Sequence, residues 1–159
     1  MSPTLTTDVS PVLKIQGFNA LTRTAASKAP ITLSITQSSS PSEIHIKQST
    51  TASIPAVNEE WYPDDNEWRE TKDSFLGKVK SRSRWCRVSE VEGGGGFLTE
   101  GLQGEEEVVE AVVEGLGSTP WKATQVWCFE AERFVRRVVT EGEGGERAET
   151  RLIYELIEE

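Results

Sequence analysis

The residues best placed to do chemistry lie in one stretch of the last third of the chain, Ala131-Glu-Arg-Phe-Val-Arg-Arg-Val-Val-Thr140. Read as a strand, it turns Phe134, Arg136 and Val138 to one side and Arg133, Val135, Arg137 and Val139 to the other. Each face therefore mixes apolar residues with at least one arginine. A strand in a dry core does not carry an inward arginine without a paired acid, whereas a strand lining a wet or ligand-filled cavity can. Inside such a cavity a guanidinium offers fixed, charge-assisted donors to an anion or a carbonyl.

The other candidates are weaker. Lys78, Lys80, Arg82 and Arg84 alternate and share one face, which reads as a solvated outer surface balanced by glutamates on neighbouring strands. A basic stripe for acidic lipid headgroups is the alternative. The same alternation turns Ser81, Ser83 and Trp85 inward, as cavity residues. Of the five tryptophans, Trp61, Trp68, Trp85, Trp121 and Trp127, two or three are expected to line the interior, where an indole can stack on a flat ligand. His45 is the only histidine. Flanked by Ile44 and Ile46 it should face outward, and it has no second metal ligand or catalytic partner at a useful spacing. No metal site or cofactor is expected. The glycine runs at 93–96 and 142–145 lack the Gly-Lys-Ser/Thr ending of a phosphate loop and read as plain loops.

The elements that must position these residues are strands. Segments 122–129, 132–140 and 147–157 are rich in Val, Ile, Phe, Trp, Tyr and Thr and are joined by short turns, so they form an antiparallel β-meander. Upstream, residues 1–8 read as a frayed lead or a truncated first strand. Ser10-Pro11 opens a short helix ending at Gly17, and Asn19 caps a second one over 20–26, giving a helix-turn-helix. From residue 31 the period becomes two: 31–36 and 43–54 form a hairpin, followed by strands at 58–62, 67–70, 77–88, 97–100 and 108–113. Nine or ten antiparallel strands in one domain, 1–159, point to an all-β up-and-down barrel with a helix-turn-helix lid over one end. Closure would also remove exposed sheet edges.

Composition narrows the partners. A net charge of −9 on 159 residues disfavours nucleic acid, which is held by an excess of Lys and Arg. Cys86 and Cys128 read as reduced, buried thiols. The start of the chain lacks the basic and apolar regions of a secretory signal, and no run approaches the ~20 apolar residues of a membrane span. A soluble, cytoplasmic protein is expected, as a monomer or as a dimer through an open barrel seam.

Three segments in the same order carry a resemblance: Val12-Leu-Lys-Ile-Gln-Gly-Phe-Asn-Ala-Leu-Thr-Arg-Thr-Ala, then Ala29-Pro-Ile-Thr-Leu-Ser-Ile-Thr, then Ile44-His-Ile-Lys-Gln-Ser-Thr. With Gly77-Lys-Val-Lys-Ser81, Gln125-Val-Trp127, Phe134-Val-Arg136 and Thr150-Arg151 near Tyr154, the chain resembles the intracellular fatty-acid-binding proteins over most of its length from residue 12. Its Trp-rich segments are also similar to uncharacterised lipocalin-like proteins of filamentous fungi.

The resemblance implies binding of a small hydrophobic molecule, a lipid or a polycyclic metabolite, inside the barrel. In the family two arginines and a tyrosine hold the ligand carboxylate; Arg136 and Arg151 match the arginines, and Tyr154 stands where the tyrosine is sought. Arg151-Leu-Ile-Tyr154 has one residue more than the family's Arg-x-Tyr, however, so Tyr154 should face away from Arg151 unless a bulge intervenes. Phe18, Trp127, Phe134 and Val138 complete the expected lining. The alternative is a small cofactor-free isomerase or cyclase of natural-product assembly using the same cavity.

Overall fold

A computed structural model describes residues 9–21, 23, 31–40, 42–50, 57–73, 76–92 and 96–157. One short helix, α1 (Ser10–Ile15), precedes nine strands: β1 (Ile31–Ser39), β2 (Ser42–Thr50), β3 (Val57–Pro63), β4 (Arg69–Asp73), β5 (Gly77–Arg87), β6 (Glu107–Gly115), β7 (Trp121–Glu130), β8 (Arg133–Gly142) and β9 (Arg147–Tyr154). Every strand pairing is antiparallel and joins chain neighbours. The expected meander, 122–129, 132–140 and 147–157, is thus β7, β8 and β9.

The closed barrel is corrected. Among the described residues the strands form two separate sheets, β1-β2-β3 and β4 through β9, with no ladder between β3 and β4. The reason lies in the connection. Pro63 ends β3 and has no N–H to continue a ladder. The turn after it is then captured by β5: Asn66 N–H donates to Ser83 O (2.8 Å), Ser83 Oγ to Pro63 O (2.7 Å), and Trp85 N–H to Asp64 Oδ1 (2.8 Å). The small sheet is joined to the large one by these bonds and by packing.

The helical lid is corrected too. Pro11 sits in the first turn of α1, as expected, but the N-cap is Val9, with no side-chain cap bond, and Gly17 follows at φ 91°. Residues 20, 21 and 23 are helical and Arg23 N–H donates to Asn19 O, while 22 and 24–26 of the expected second helix lie outside the described residues, as do 1–8. Among the described residues only α1 stands as a complete helix. It packs on β8 and β9, and Ile15 joins Val79, Trp121, Ala123 and Val138 in one apolar cluster.

A third correction concerns 97–100, expected as a strand. It is a run of turns. With the 3-10 turn Val88–Glu90 it belongs to a segment between β5 and β6 that lies on the outside of the large sheet. Val88, Val91 and Leu98 pack there against Cys86, Val108, Val126, Cys128, Val135, Val139 and Ile153. The large sheet therefore has two apolar faces. One meets the small sheet through Ile46, Tyr62, Val109, Ala111, Trp127, Leu152 and Tyr154; the other is covered by the chain's own 88–92 and 96–106. Strands buried on both faces lose clean alternation, which is the character of Val108-Val109 and Val138-Val139.

Candidate functional site

On β8 the inward set is Phe134, Arg136 and Val138, and pairing with β9 sets Arg136 opposite Leu152 and Phe134 opposite Tyr154. Arg136 is thereby carried into the apolar space between the sheets, with 17% of its side chain exposed. Its Nε donates to Gln125 Oε1 on β7 (2.6 Å), and its guanidinium lies over the Trp127 ring, 4.9 Å from the centroid. From the opposite sheet, Glu60 on β3 places Oε1 3.9 Å from Arg136 Nη2. Tyr62, two residues along and on the same face, donates to Glu60 Oε2 (2.5 Å).

Around this polar cluster stand aromatic rings. Trp127 stacks on Phe134 with centroids 5.0 Å apart, lies 6.1 Å from Tyr154 and meets Tyr62 edge-on at 6.2 Å. Burial alone would discourage the charge on Arg136, but Glu60 and the two phenols outweigh it and hold the guanidinium firmly protonated. Burial, and then the Glu60 carboxylate, push the Tyr62 phenol well above its usual range. Tyr154 is also raised by burial, with Arg136 opposing. Farther along β8 and β9, the hydroxyls of Thr140 and Thr150 are buried with no hydrogen-bond partner among the described residues.

The expected lining is only partly brought together. Arg136, Phe134, Trp127, Tyr154 and Trp85 share the space between the sheets, and Val138 lies in the adjoining cluster at the α1 end. Ser81 is half-buried on the same face of β5, and Ser83 uses its hydroxyl to tie down β3. Phe18 is half-buried just beyond α1, where its carbonyl accepts from Arg23. Arg151 is corrected: it faces the other way, bonded through Nε and Nη2 to Glu130 Oε2 (2.9 and 2.5 Å). No bulge intervenes in the β8–β9 register, so Tyr154 and Arg151 point to opposite faces. Of the two arginines implied by the resemblance, only Arg136 is inside.

Glu60, Tyr62 and Gln125 were absent from the sequence-based expectation. The period-two pattern of Glu60 and Tyr62 was available, but a Glu59-Glu60 doublet gives no sign of which acid turns inward until register is known. The remaining candidates have structural partners. His45 stacks on Trp61 (centroids 3.7 Å, 8°) beside Glu59, on the outer side of the small sheet. Lys78, Lys80, Arg82 and Arg84 pair with Glu70, Glu114, Glu92 and Glu110, and Lys80 and Arg82 also lie over Trp68. Both cysteines are free and buried.

Two surface clefts, of about 360 and 370 Å³, lie at the β7–β8 turn beside Arg151 and at the β3–β4 turn beside Asp64. Neither is lined by a residue of the Arg136 cluster, where the aromatic rings occupy the space. Among the described residues no His/Cys/Asp/Glu group has the arrangement of a metal site, and no helix is long and apolar enough to cross a membrane.

No protein-family model matches this chain, and no curated protein sequence does. Among solved structures, the REP1-NXSQ fatty acid transporter superposes with a TM-score of 0.56 at 12% sequence identity, over 96% of this chain and 91% of that one. At that identity the likeness is one of fold: this chain shares the β architecture of that transporter.

Proposed function

We propose that the protein binds a small hydrophobic molecule, a lipid or a polycyclic metabolite, between its two sheets, with Arg136 as the polar anchor. The observation that carries this reading is the guanidinium itself. It sits among Trp127, Phe134, Tyr154 and Leu152, it donates to the neutral amide of Gln125 and lies beside the Tyr154 hydroxyl, and its carboxylate neighbour stands at 3.9 Å. A purely structural arginine is normally closed by close carboxylate contacts, as Arg151 is by Glu130. Arg136 meets its carboxylate only at 3.9 Å, with neutral polar groups closer to hand.

Burial of an apolar ligand there would contribute roughly 25 cal/mol per Å² removed from water, with the arginine fixing the polar end. Because the aromatic rings now fill the space, uptake requires them to part. Trp85, Trp127, Phe134, Val138 and Tyr154 form the proposed lining. The fatty acid transporter of like fold supports the general class, and the placement of Arg136 supports the anchor.

The test is native mass spectrometry of the purified protein, followed by denaturation and identification of any released small molecule. A stoichiometric lipid or polycyclic compound is expected, and it should be lost in Arg136→Ala. A protein that is empty and also takes up no hydrophobic fluorescent probe overturns the reading.

A further inference from the structure

Resting on the binding role proposed above, we infer that the ligand's polar end is uncharged, a hydroxyl or carbonyl, and that Glu60 selects against carboxylates. The geometry points to this through one gap. Arg136 Nη2 and Glu60 Oε1 are 3.9 Å apart, beyond hydrogen-bond length. Glu60 Oε2 is already taken by Tyr62, and Arg136 Nε by Gln125. What remains at the gap is the guanidinium on one side and Glu60 Oε1 on the other, with the Tyr154 hydroxyl, itself a neutral donor and acceptor, beside the guanidinium. A hydroxyl meets both at once: its oxygen accepts from the guanidinium while its proton goes to Glu60 Oε1. A carbonyl meets the donor alone.

A carboxylate fares differently. The cluster without ligand is neutral, one guanidinium and one carboxylate, in surroundings that Ile46, Leu152 and Trp127 keep apolar. A second carboxylate beside Glu60 would leave a net negative charge where like charges repel strongly, and one of the two acids would have to take up a proton. Arg136 cannot serve both equally. Replacing Glu60 by glutamine removes the competing charge, keeps an acceptor for Tyr62 and leaves a cluster of net positive charge, which a carboxylate would neutralise.

The experiment is a matched pair of fluorescent eighteen-carbon probes, cis-parinaric acid and cis-parinaryl alcohol, titrated at pH 7.5 into the unaltered protein and into Glu60→Gln. The expected result is at least tenfold tighter binding of the alcohol to the unaltered protein, with the preference narrowed or reversed in Glu60→Gln. If Glu60→Gln fails to fold by circular dichroism, Glu60→Ala serves in its place. Equal or tighter binding of the acid to the unaltered protein overturns the inference and leaves the binding role standing. An alcohol preference that persists unchanged in the variant overturns Glu60 as its source. Uptake of neither probe removes the binding role itself.

Discussion

Arg136 and Glu60 face each other from different sheets, Nη2 to Oε1 3.9 Å apart, with no backbone hydrogen-bond ladder linking β3 to β8. The pair is thus a charged contact across the interior rather than part of a sheet ladder. Removing one partner strands the other in apolar surroundings, so Arg136→Leu should destabilise the protein by about 3 kcal/mol, the range seen when a buried pair is broken from one side. The double variant Arg136→Leu, Glu60→Leu should recover most of that loss. Urea unfolding of the four proteins measures it; a double variant as unstable as the sum of the singles would show that the two charges are not coupled.

The chain has two tyrosines, Tyr62 and Tyr154, and burial raises both phenols. The folded protein should show no tyrosinate absorbance at 295 nm as pH passes 10, whereas the urea-unfolded chain titrates near ~10. The sign for stability follows. Because the folded pKa values lie above the unfolded ones, the neutral phenols' contribution is complete below about pH 10 and is lost as pH rises above it. Tyr62→Phe should flatten that alkaline loss. A native titration that overlays the unfolded one would place the phenols in water.

How far the sequence spoke can be judged from particular strands. Alternation sets Val79, Ser81, Ser83 and Trp85 on one face of β5, and Val79 and Trp85 of that set pack into the apolar clusters. The same rule left Arg136 and Arg137 on opposite faces but could not say that both faces are covered. That information was present in Val108-Val109 and Val138-Val139, apolar doublets that strict alternation forbids. The 97–100 segment read as a strand because Phe97, Leu98 and Thr99 have strand propensity. Arg137, far along the chain, overrides this by collecting the carbonyls of Phe97 and Glu100. The break between the sheets was equally non-local, since it depends on Ser83 and Trp85 capturing the Pro63–Asp64 turn.

Gly115, the last residue of β6, lies against the Trp121 indole so closely that an added Cβ would stand 2.6 Å from Cε2. Trp121 is 6% exposed and packs with Val79, Ala123 and Val138, so it has little room to yield. Gly115→Ala should cost about 2 kcal/mol through overpacking, read by thermal unfolding and by a shift of tryptophan emission toward longer wavelength. An unshifted midpoint and spectrum would mean that the indole simply swings away.

The covering on the outer face is held from beneath. Arg137 donates through Nη1 to Phe97 O (3.0 Å) and Glu100 O (2.7 Å) and through Nη2 to Glu130, while Glu110, 2% exposed, accepts from Glu92 N–H (2.7 Å) and from Arg84 Nε (2.9 Å). Under it lie Cys86 on β5, opposite Val108, and Cys128 on β7, in one apolar cluster with β6 between their strands. Two inter-strand steps of ~4.8 Å each exceed the ~7 Å that a disulfide can span. Burial, and then Glu110, push the Cys86 thiol up to about 11; burial also raises Cys128. At pH 8 both thiols of the folded protein should thus be nearly inert to a disulfide reagent such as DTNB. Arg137→Ala removes two charged hydrogen bonds to the covering, worth about 1.5 kcal/mol each, together enough to raise its open population roughly a hundredfold. Both thiols should then react correspondingly faster, and protease should cut within 96–106 while the sheets survive. Thiol rates unchanged in Arg137→Ala would show that packing of Val88, Val91 and Leu98, rather than the arginine, keeps the outer face closed.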